Sequence, residues 1–224
     1  MTPELIVLEA PKSKVSESFR TLRSNLQFTS LKSNKSFLVT SSVSGEGKSY
    51  VTANLAIAYA QNNKKTLIVD CDMRRGRQHE IFKLASEKGL SNLLVSDVQK
   101  EYKNYIQNTN IKNLDVITRG IVPPNPSELL DSNNLRDLIN ILEKDYDIIL
   151  FDGTPINGLS DSIILASFIN RVIIVATLNY TSESLLISTK KTLESINCNI
   201  AGVVANKVKN NDRYSKNYYD YYTF

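Results

Sequence analysis

Between Phe37 and Tyr50 the sequence reads FLVTSSVSGEGKSY, and few folds accommodate that order of residues. An apolar run passes through small hydroxyl residues into a glycine-bearing turn, then Lys48-Ser49, then the apolar stretch VTANLAIAYA. Strand, glycine loop, Lys-Ser and buried helix are the parts of a phosphate-binding loop in their required sequence. Gly45 and Gly47 let backbone N–H groups turn inward around phosphate oxygens, and the helix behind them offers its positive N-terminal end. Lys48 adds a point charge, and the Ser49 hydroxyl is a Mg²⁺ ligand by type. Ser42 stands where the strict G-x-x-x-x-G-K-[ST] pattern has its first glycine. Taken alone, GEGKS also suits a surface turn with a helix-capping serine, so the reading depends on the rest of the chain.

The remainder alternates strand and helix. TLIVD (66–70), NLDVIT (113–118), YDIILFD (146–152), RVIIVAT (171–177) and NIAGVVANK (199–207) read as strands. Helical stretches lie between them, including one capped by Asn125 or Ser127 that reaches about Lys144, and one over 181–195. Residues 77–110 read as mostly helical and polar, broken at Gly89. Short connections between alternating elements predict an α/β fold, a mostly parallel sheet covered by helices on both faces. Asp70 and Asp72 follow one strand end beside Arg74 and Arg75, and Asp152 ends another. The carboxyl ends of strands are where ligands bind in such sheets, although aspartates there also cap helices in ordinary turns. Asp161 reads as a first-turn or capping acid of the helix it opens.

The two ends of the chain differ from this pattern. Residues 1–12 read as extended and loosely attached. A helix is expected from about 13 to 29, with Val15, Phe19, Leu22 and Leu26 on its apolar side and Glu17, Arg20 and Arg23 in a row along one face. That row suits a solvated ion pair as well as a contact between subunits. The last fifteen residues, NNDRYSKNYYDYYTF, hold five of the eleven tyrosines and no aliphatic residue. Lacking anything to bury, they predict a flexible tail over 210–224, which leaves 1–209 as a single domain.

Composition narrows the remaining classes. A net charge of +4 on 224 residues does not mark a nucleic-acid binder. No apolar run approaches the roughly 18 residues of a membrane span, and MTPELIVLEA has neither the basic start nor the long apolar segment of a secretory signal. Two cysteines, Cys71 and Cys198, make no disulfide framework and suit a reducing, cytoplasmic setting.

Taken together, these segments resemble the bacterial protein-tyrosine kinases, the cytoplasmic kinase subunits found with capsule and exopolysaccharide export systems. The resemblance spans nearly the whole chain. It includes Glu-x-x-Arg-x-x-Arg (Glu17, Arg20, Arg23), the loop SVSGEGKS, the Walker A′ segment LIVDCDMR, the segment PPNPSELL, the Walker B strand IILFD and the tyrosine-rich tail. It implies a P-loop architecture and an ATP- and Mg²⁺-dependent kinase that phosphorylates its own tail at Tyr214, Tyr218, Tyr219, Tyr221 and Tyr222. By position, Ser44, Gly45, Glu46, Gly47, Lys48, Ser49 and Tyr50 would hold the nucleotide, with Asn206 as an adenine contact. Ser49, Asp152 and Asp70 would serve Mg²⁺. Lys48, Asp70, Asp72 and Asp152 would form the catalytic set, Asp70 or Asp72 being the base or orienter of the tyrosine hydroxyl. Glu17, Arg20 and Arg23 would build a ring in which one subunit's tail enters the next subunit's site. Implied partners are a membrane adaptor whose cytoplasmic tail activates the kinase at the inner face of the membrane, and a cognate tyrosine phosphatase, with no nucleic acid. Two positions depart from the family. Asp-Gly-Thr-Pro replaces Asp-x-Pro-Pro after the Walker B strand, and Ser44 replaces the proline before Gly-x-Gly-Lys.

The competing reading is a nucleotide-switch ATPase of the partitioning or septum-placing type. Those proteins carry a signature lysine near the start of the loop, where this chain has Ser41, Ser42, Val43 and Ser44. A third reading is a non-catalytic regulator that binds nucleotide and signals through its tail.

Overall fold

The computed structural model describes residues 4–28, 35–169 and 171–208. The five tail tyrosines lie outside the described residues. In chain order the elements are α1 (Ile6–Glu9), α2 (Lys14–Phe28), β1 (Ser36–Ser41), α3 (Lys48–Gln61), β2 (Thr66–Asp70), α4 (Gln78–Phe82), α5 (Leu90–Leu93) and α6 (Val98–Glu101). A 3-10 turn over Tyr102–Tyr105 leads to β3 (Gln107–Asn108) and β4 (Leu114–Ile117), then α7 (Pro126–Leu130), α8 (Asn133–Asp145), β5 (Ile148–Pro155), α9 (Asp161–Ala166), β6 (Arg171–Thr177), α10 (Glu183–Ser195) and β7 (Ile200–Asn206).

Alternation along the strands divides the core between the two faces of the sheet. Phe37 and Val39 of β1 pack with Ile68 of β2 against α3, while Leu38 packs with Leu67 and Val69 against α8 and α9. A side-chain period of two, apolar on both sides, calls for helices on both faces. Helix α3 is buried from Val51 to Ala60, because the sheet lies on one side and α1 and α2 on the other. The strand order is β3-β4-β2-β5-β1-β6-β7. Every pair is parallel except the edge pair β3–β4. The mostly parallel sheet expected from the sequence is therefore observed, and its interior strand β1, between β5 and β6, delivers the chain into the glycine loop.

Three local expectations are corrected. Of the segment 1–12, expected to be loosely attached, the described residues 4–12 are held to the domain. Ile6 and Val7 are buried, and the buried amide of Asn54 on α3 accepts from Val7 N at 3.0 Å and donates to the Glu4 carbonyl at 2.8 Å. The Ser16 hydroxyl lies 3.0 Å from the Ile6 carbonyl and 2.7 Å from that of Ala10, tying α1 to α2. The helix expected to run to Lys144 is two helices. Asn125 stands at the N-cap of α7 as expected, though without a side-chain cap hydrogen bond, and Ser132 caps α8, its hydroxyl accepting from Leu135 N at 3.3 Å. Finally, 77–110 is less helical and less polar than expected. It holds only short helical turns and ends in β3, and Leu90, Leu93, Leu94 and Val98 enter the core.

Candidate active site

The phosphate loop owes its shape to two glycines. Gly45 (φ +83°) and Gly47 (φ +92°) take left-handed backbone angles that other residues adopt at a cost. Gly47 also meets the Asn206 amide so closely that any Cβ would collide with it. Around them the loop is gripped from behind. Asn206 Nδ2 donates to the Glu46 carbonyl at 2.8 Å, and Lys207 Nζ to that of Gly45 at 2.8 Å. Asn206 thus holds the loop with its amide donor. The Glu46 side chain is buried and turned away from the loop mouth. It accepts from Val43 N at 2.8 Å, from Thr177 N at 3.4 Å and from the Thr181 hydroxyl.

Ser42 fits where glycine is customary because its side chain also points away. Its hydroxyl accepts from Thr189 of α10 at 2.8 Å, and its carbonyl accepts from Asn157 N and Nδ2 at 3.2 and 2.9 Å. The Gly-Thr-Pro departure is absorbed in a similar way, with β5 continuing to Pro155. A Cβ on Gly153 would lie 2.5 Å from the Ser162 hydroxyl and 2.8 Å from Leu38, so a side chain there would have to push both aside. The Thr154 carbonyl accepts from Thr40 and Ser162 hydroxyls, both at 2.7 Å.

Beneath the loop lie the acids. Parallel register pairs Asp70 of β2 with Asp152 of β5, placing two fully buried carboxylates side by side. Burial, reinforced by the charge of Asp152, pushes Asp70 well above the usual carboxylate range; the Gln78 N–H acts against it. Burial raises Asp152 too, opposed by Lys48 and by hydrogen bonds from Ser49 and Gln78. Asp72 differs from both. It is half-buried, faces the cleft, and accepts from Arg75 N at 2.8 Å. Cys71 between them is no nucleophile, since burial and the neighbouring acids push its thiol well up.

The cleft above has a volume of about 2020 Å³, with Lys48 and Asp72 on one side and α2 on the other. On α2, Arg20 pairs with Glu17 at 2.7 Å and also donates to the Pro11 carbonyl. The expected shared face does not hold for Arg23. Six residues at 100° each turn it about 120° from Glu17, toward α3, where it donates to the Ala58 carbonyl at 3.0 Å. Tyr50 packs edge-on against Phe19 of α2, ring centroids 5.9 Å apart. Asp161 is a buried anchor beyond its place in the first turn. It accepts from Arg74 Nε at 3.2 Å and from Ser127, within PPNPSELL, at 2.7 Å.

Sequence reasoning missed Gln78. It is fully buried, its backbone N–H donates to Asp70 at 3.0 Å, and its Nε2 donates to Asp152 at 2.8 Å and to the Ser49 carbonyl at 3.2 Å. A neutral residue in the polar run RRGRQHE carries no pattern that would mark it. The residues present suit a hard divalent cation: the Ser49 hydroxyl, the Asp152 carboxylate, and Asp70 Oδ1, which is buried with no hydrogen-bond partner. Among the described residues no group of three or more His, Cys, Asp or Glu is disposed to hold a metal ion. Phosphate oxygens and water would have to complete the shell, as is usual for Mg²⁺.

A strand-borne glycine loop, Lys-Ser at a helix N-terminus and acids on adjacent strand ends define a P-loop nucleotidase. Residues 35–203 match the family model described as an AAA domain. The chain is 39% identical over 218 residues to CapB of Staphylococcus aureus, covering 97% of this chain and 94% of that one. It is 34% identical over 220 residues to the tyrosine-protein kinase YwqD of Bacillus subtilis, covering 98% and 92%. The solved kinase domain of the Escherichia coli tyrosine kinase ETK superposes with a TM-score of 0.85 at 30% identity, over 92% of this chain and 82% of that domain. The chain belongs to the bacterial protein-tyrosine kinase family. The septum site-determining protein MinD of Pyrococcus horikoshii, at 21% identity and a TM-score of 0.66, shares the fold.

Proposed function

We propose that this chain is an ATP-dependent protein-tyrosine kinase of capsule or exopolysaccharide synthesis, whose acceptors are tail tyrosines of a neighbouring copy. The observation that carries the reading is the two-level arrangement of acids. Asp70 and Asp152 are sealed beneath the loop, while Asp72 faces a cleft with room for a second chain. Lys48 and the loop amides hold the phosphates, and Ser49, Asp152 and Asp70 hold the cation. Mg²⁺, when bound, offsets charge on the phosphate oxygens. Asp72 orients the tyrosine hydroxyl and takes its proton. As the phenolic oxygen bonds to the γ-phosphorus, the bond to the β,γ-bridging oxygen breaks and ADP leaves. Such a transfer needs position and charge stabilisation more than covalent chemistry. A phenol of pKa near 10 gives up its proton only as that bond forms.

Of Glu17, Arg20 and Arg23, the first two are available to a neighbouring subunit, while Arg23 is turned to α3. A head-to-tail contact of this kind closes into a ring only at the right rotation. An adaptor at the inner face of the membrane would recruit and activate the kinase, and a cognate phosphatase would reverse it. Among the described residues no helix is long and apolar enough to cross a membrane. Incubation with labelled ATP and Mg²⁺, followed by phosphotyrosine detection and mass spectrometry, tests the function. Phosphate should lie on Tyr214, Tyr218, Tyr219, Tyr221 and Tyr222. ATP hydrolysis with no phosphotyrosine would leave a nucleotide switch instead.

A further inference from the structure

We propose that Gln78 is the positioning residue of the cation site: its amide NH₂ fixes Asp152 against the loop, and its carbonyl Oε1 is the acceptor for a water of the bound cation. This deepens the kinase reading and rests on it only for the identity of the site. The side-chain orientation follows from its partners. Nε2 faces two acceptors, the Ser49 carbonyl at 3.2 Å and Asp152 Oδ2 at 2.8 Å, which only a donor can satisfy. Oε1 is thereby turned elsewhere, and it is buried with no hydrogen-bond partner. Asp70 carries the other bare oxygen of the cluster, Oδ1, while its Oδ2 is held by the Gln78 backbone N–H at 3.0 Å.

One residue therefore touches both buried acids and the backbone of the proposed cation-binding serine, and it leaves one acceptor open while Asp70, bonded to it, leaves another. Buried polar atoms are nearly always paired. Two unpaired acceptors on residues already in contact each call for a donor, and a hydrated cation brings donors of that kind. A residue that only filled space would not bury an open carbonyl. Partners that orient metal ligands typically alter affinity about 10–100-fold when removed.

The test measures binding of a fluorescent ADP analogue, with EDTA and across a Mg²⁺ titration, in Gln78→Leu and Gln78→Met. Both variants remove the donor and the acceptor and put an apolar side chain of similar bulk in their place. The half-saturating Mg²⁺ concentration should rise about tenfold or more. Affinity in EDTA should stay unchanged, and turnover should recover in excess Mg²⁺. An unchanged Mg²⁺ requirement would overturn the proposal. So would equal loss of nucleotide affinity with and without Mg²⁺, or failure of both variants to fold, since Gln78 would then be a structural prop. The readout is binding, so it holds even if the wild-type protein phosphorylates no tyrosine, a result that would sink the kinase reading alone.

Discussion

Asp70, Asp152 and Lys48 make a floor beneath the phosphate loop and its cleft, with no more than 8% of their surface exposed. Glu17 and Arg20 meet at 2.7 Å on its open wall, with side chains 52% and 30% exposed. The same kinds of charge do different work in the two places. In the floor each group has lost its water, so its neighbours decide its state, and removing one partner leaves another buried and uncompensated. On the wall, water and salt screen the pair, whose worth to the fold is about 0.2–1 kcal/mol. Floor residues should accordingly govern chemistry, and wall residues association.

The largest expected effect is on the floor. Lys48→Met removes the loop's own cation from a phosphate site built largely from backbone. Autophosphorylation should fall about 10²–10³-fold, the scale of losing a charge-stabilising donor in a preorganised site, with the fold kept. Phosphotyrosine accumulating at the wild-type rate would break the comparison at once, because the loop would then not be where transfer occurs.

Within the acids the comparison sharpens. Asp152→Asn should weaken Mg²⁺-dependent nucleotide binding, since it deletes a buried cation anchor. Asp72→Asn should slow transfer about 10²-fold, as expected for a lost general base, with nucleotide binding largely retained. Nucleotide affinity and single-turnover rate on both variants decide the matter. Matching defects would mean that burial does not separate their roles.

How much of this could be read from the residues varies with the kind of signal. The loop and sheet were legible because strand period, glycines and Lys-Ser are local patterns with local causes. The Leu5–Leu8 run was not, since a short apolar run has no period to read, and the partner that shapes it, Asn54, lies 47 residues from Val7. The break between α7 and α8 was marked by Ser132, but Ser127 and Asn125 offered equally good caps on paper. In the fold, Ser127 is instead engaged with Asp161. Gln78 was invisible because its importance comes from what β2 and β5 bring beside it. Arg23 was misplaced because a spacing of three drifts around a helix, and by the second step it has left the face on which it started.

That drift yields the smallest and most discriminating prediction. Arg23 donates to a carbonyl at the last turn of α3, where a cation is also favoured by the helix dipole. Arg23→Ala should therefore cost about 1–2 kcal/mol of stability, read as a fall of about 2–4 °C in melting midpoint per kcal/mol for a chain of this size. Arg20→Ala loses an exposed pair and should shift stability by less than about 0.5 kcal/mol. A double change at Arg20 and Arg23 would confuse unfolding with dissociation, so association is better tested with Glu17→Ala and Arg20→Ala together. In an unphosphorylated Lys48→Met background, light scattering at fixed concentration should find an oligomer that this pair of changes reduces to monomers while the melting midpoint holds. The tail provides a second lever on the same contact. From Lys207 to Phe224 the chain carries four basic and two acidic residues, and each phosphotyrosine adds about −1.5 to −2. Two phosphates should reverse the sign of the tail beside sites that hold Asp70, Asp72 and nucleotide, and so drive subunits apart. Equal mass for phosphorylated and unphosphorylated protein would remove that switch, and an Arg20 variant as unstable as Arg23→Ala would erase the distinction between the open and the inward face of α2.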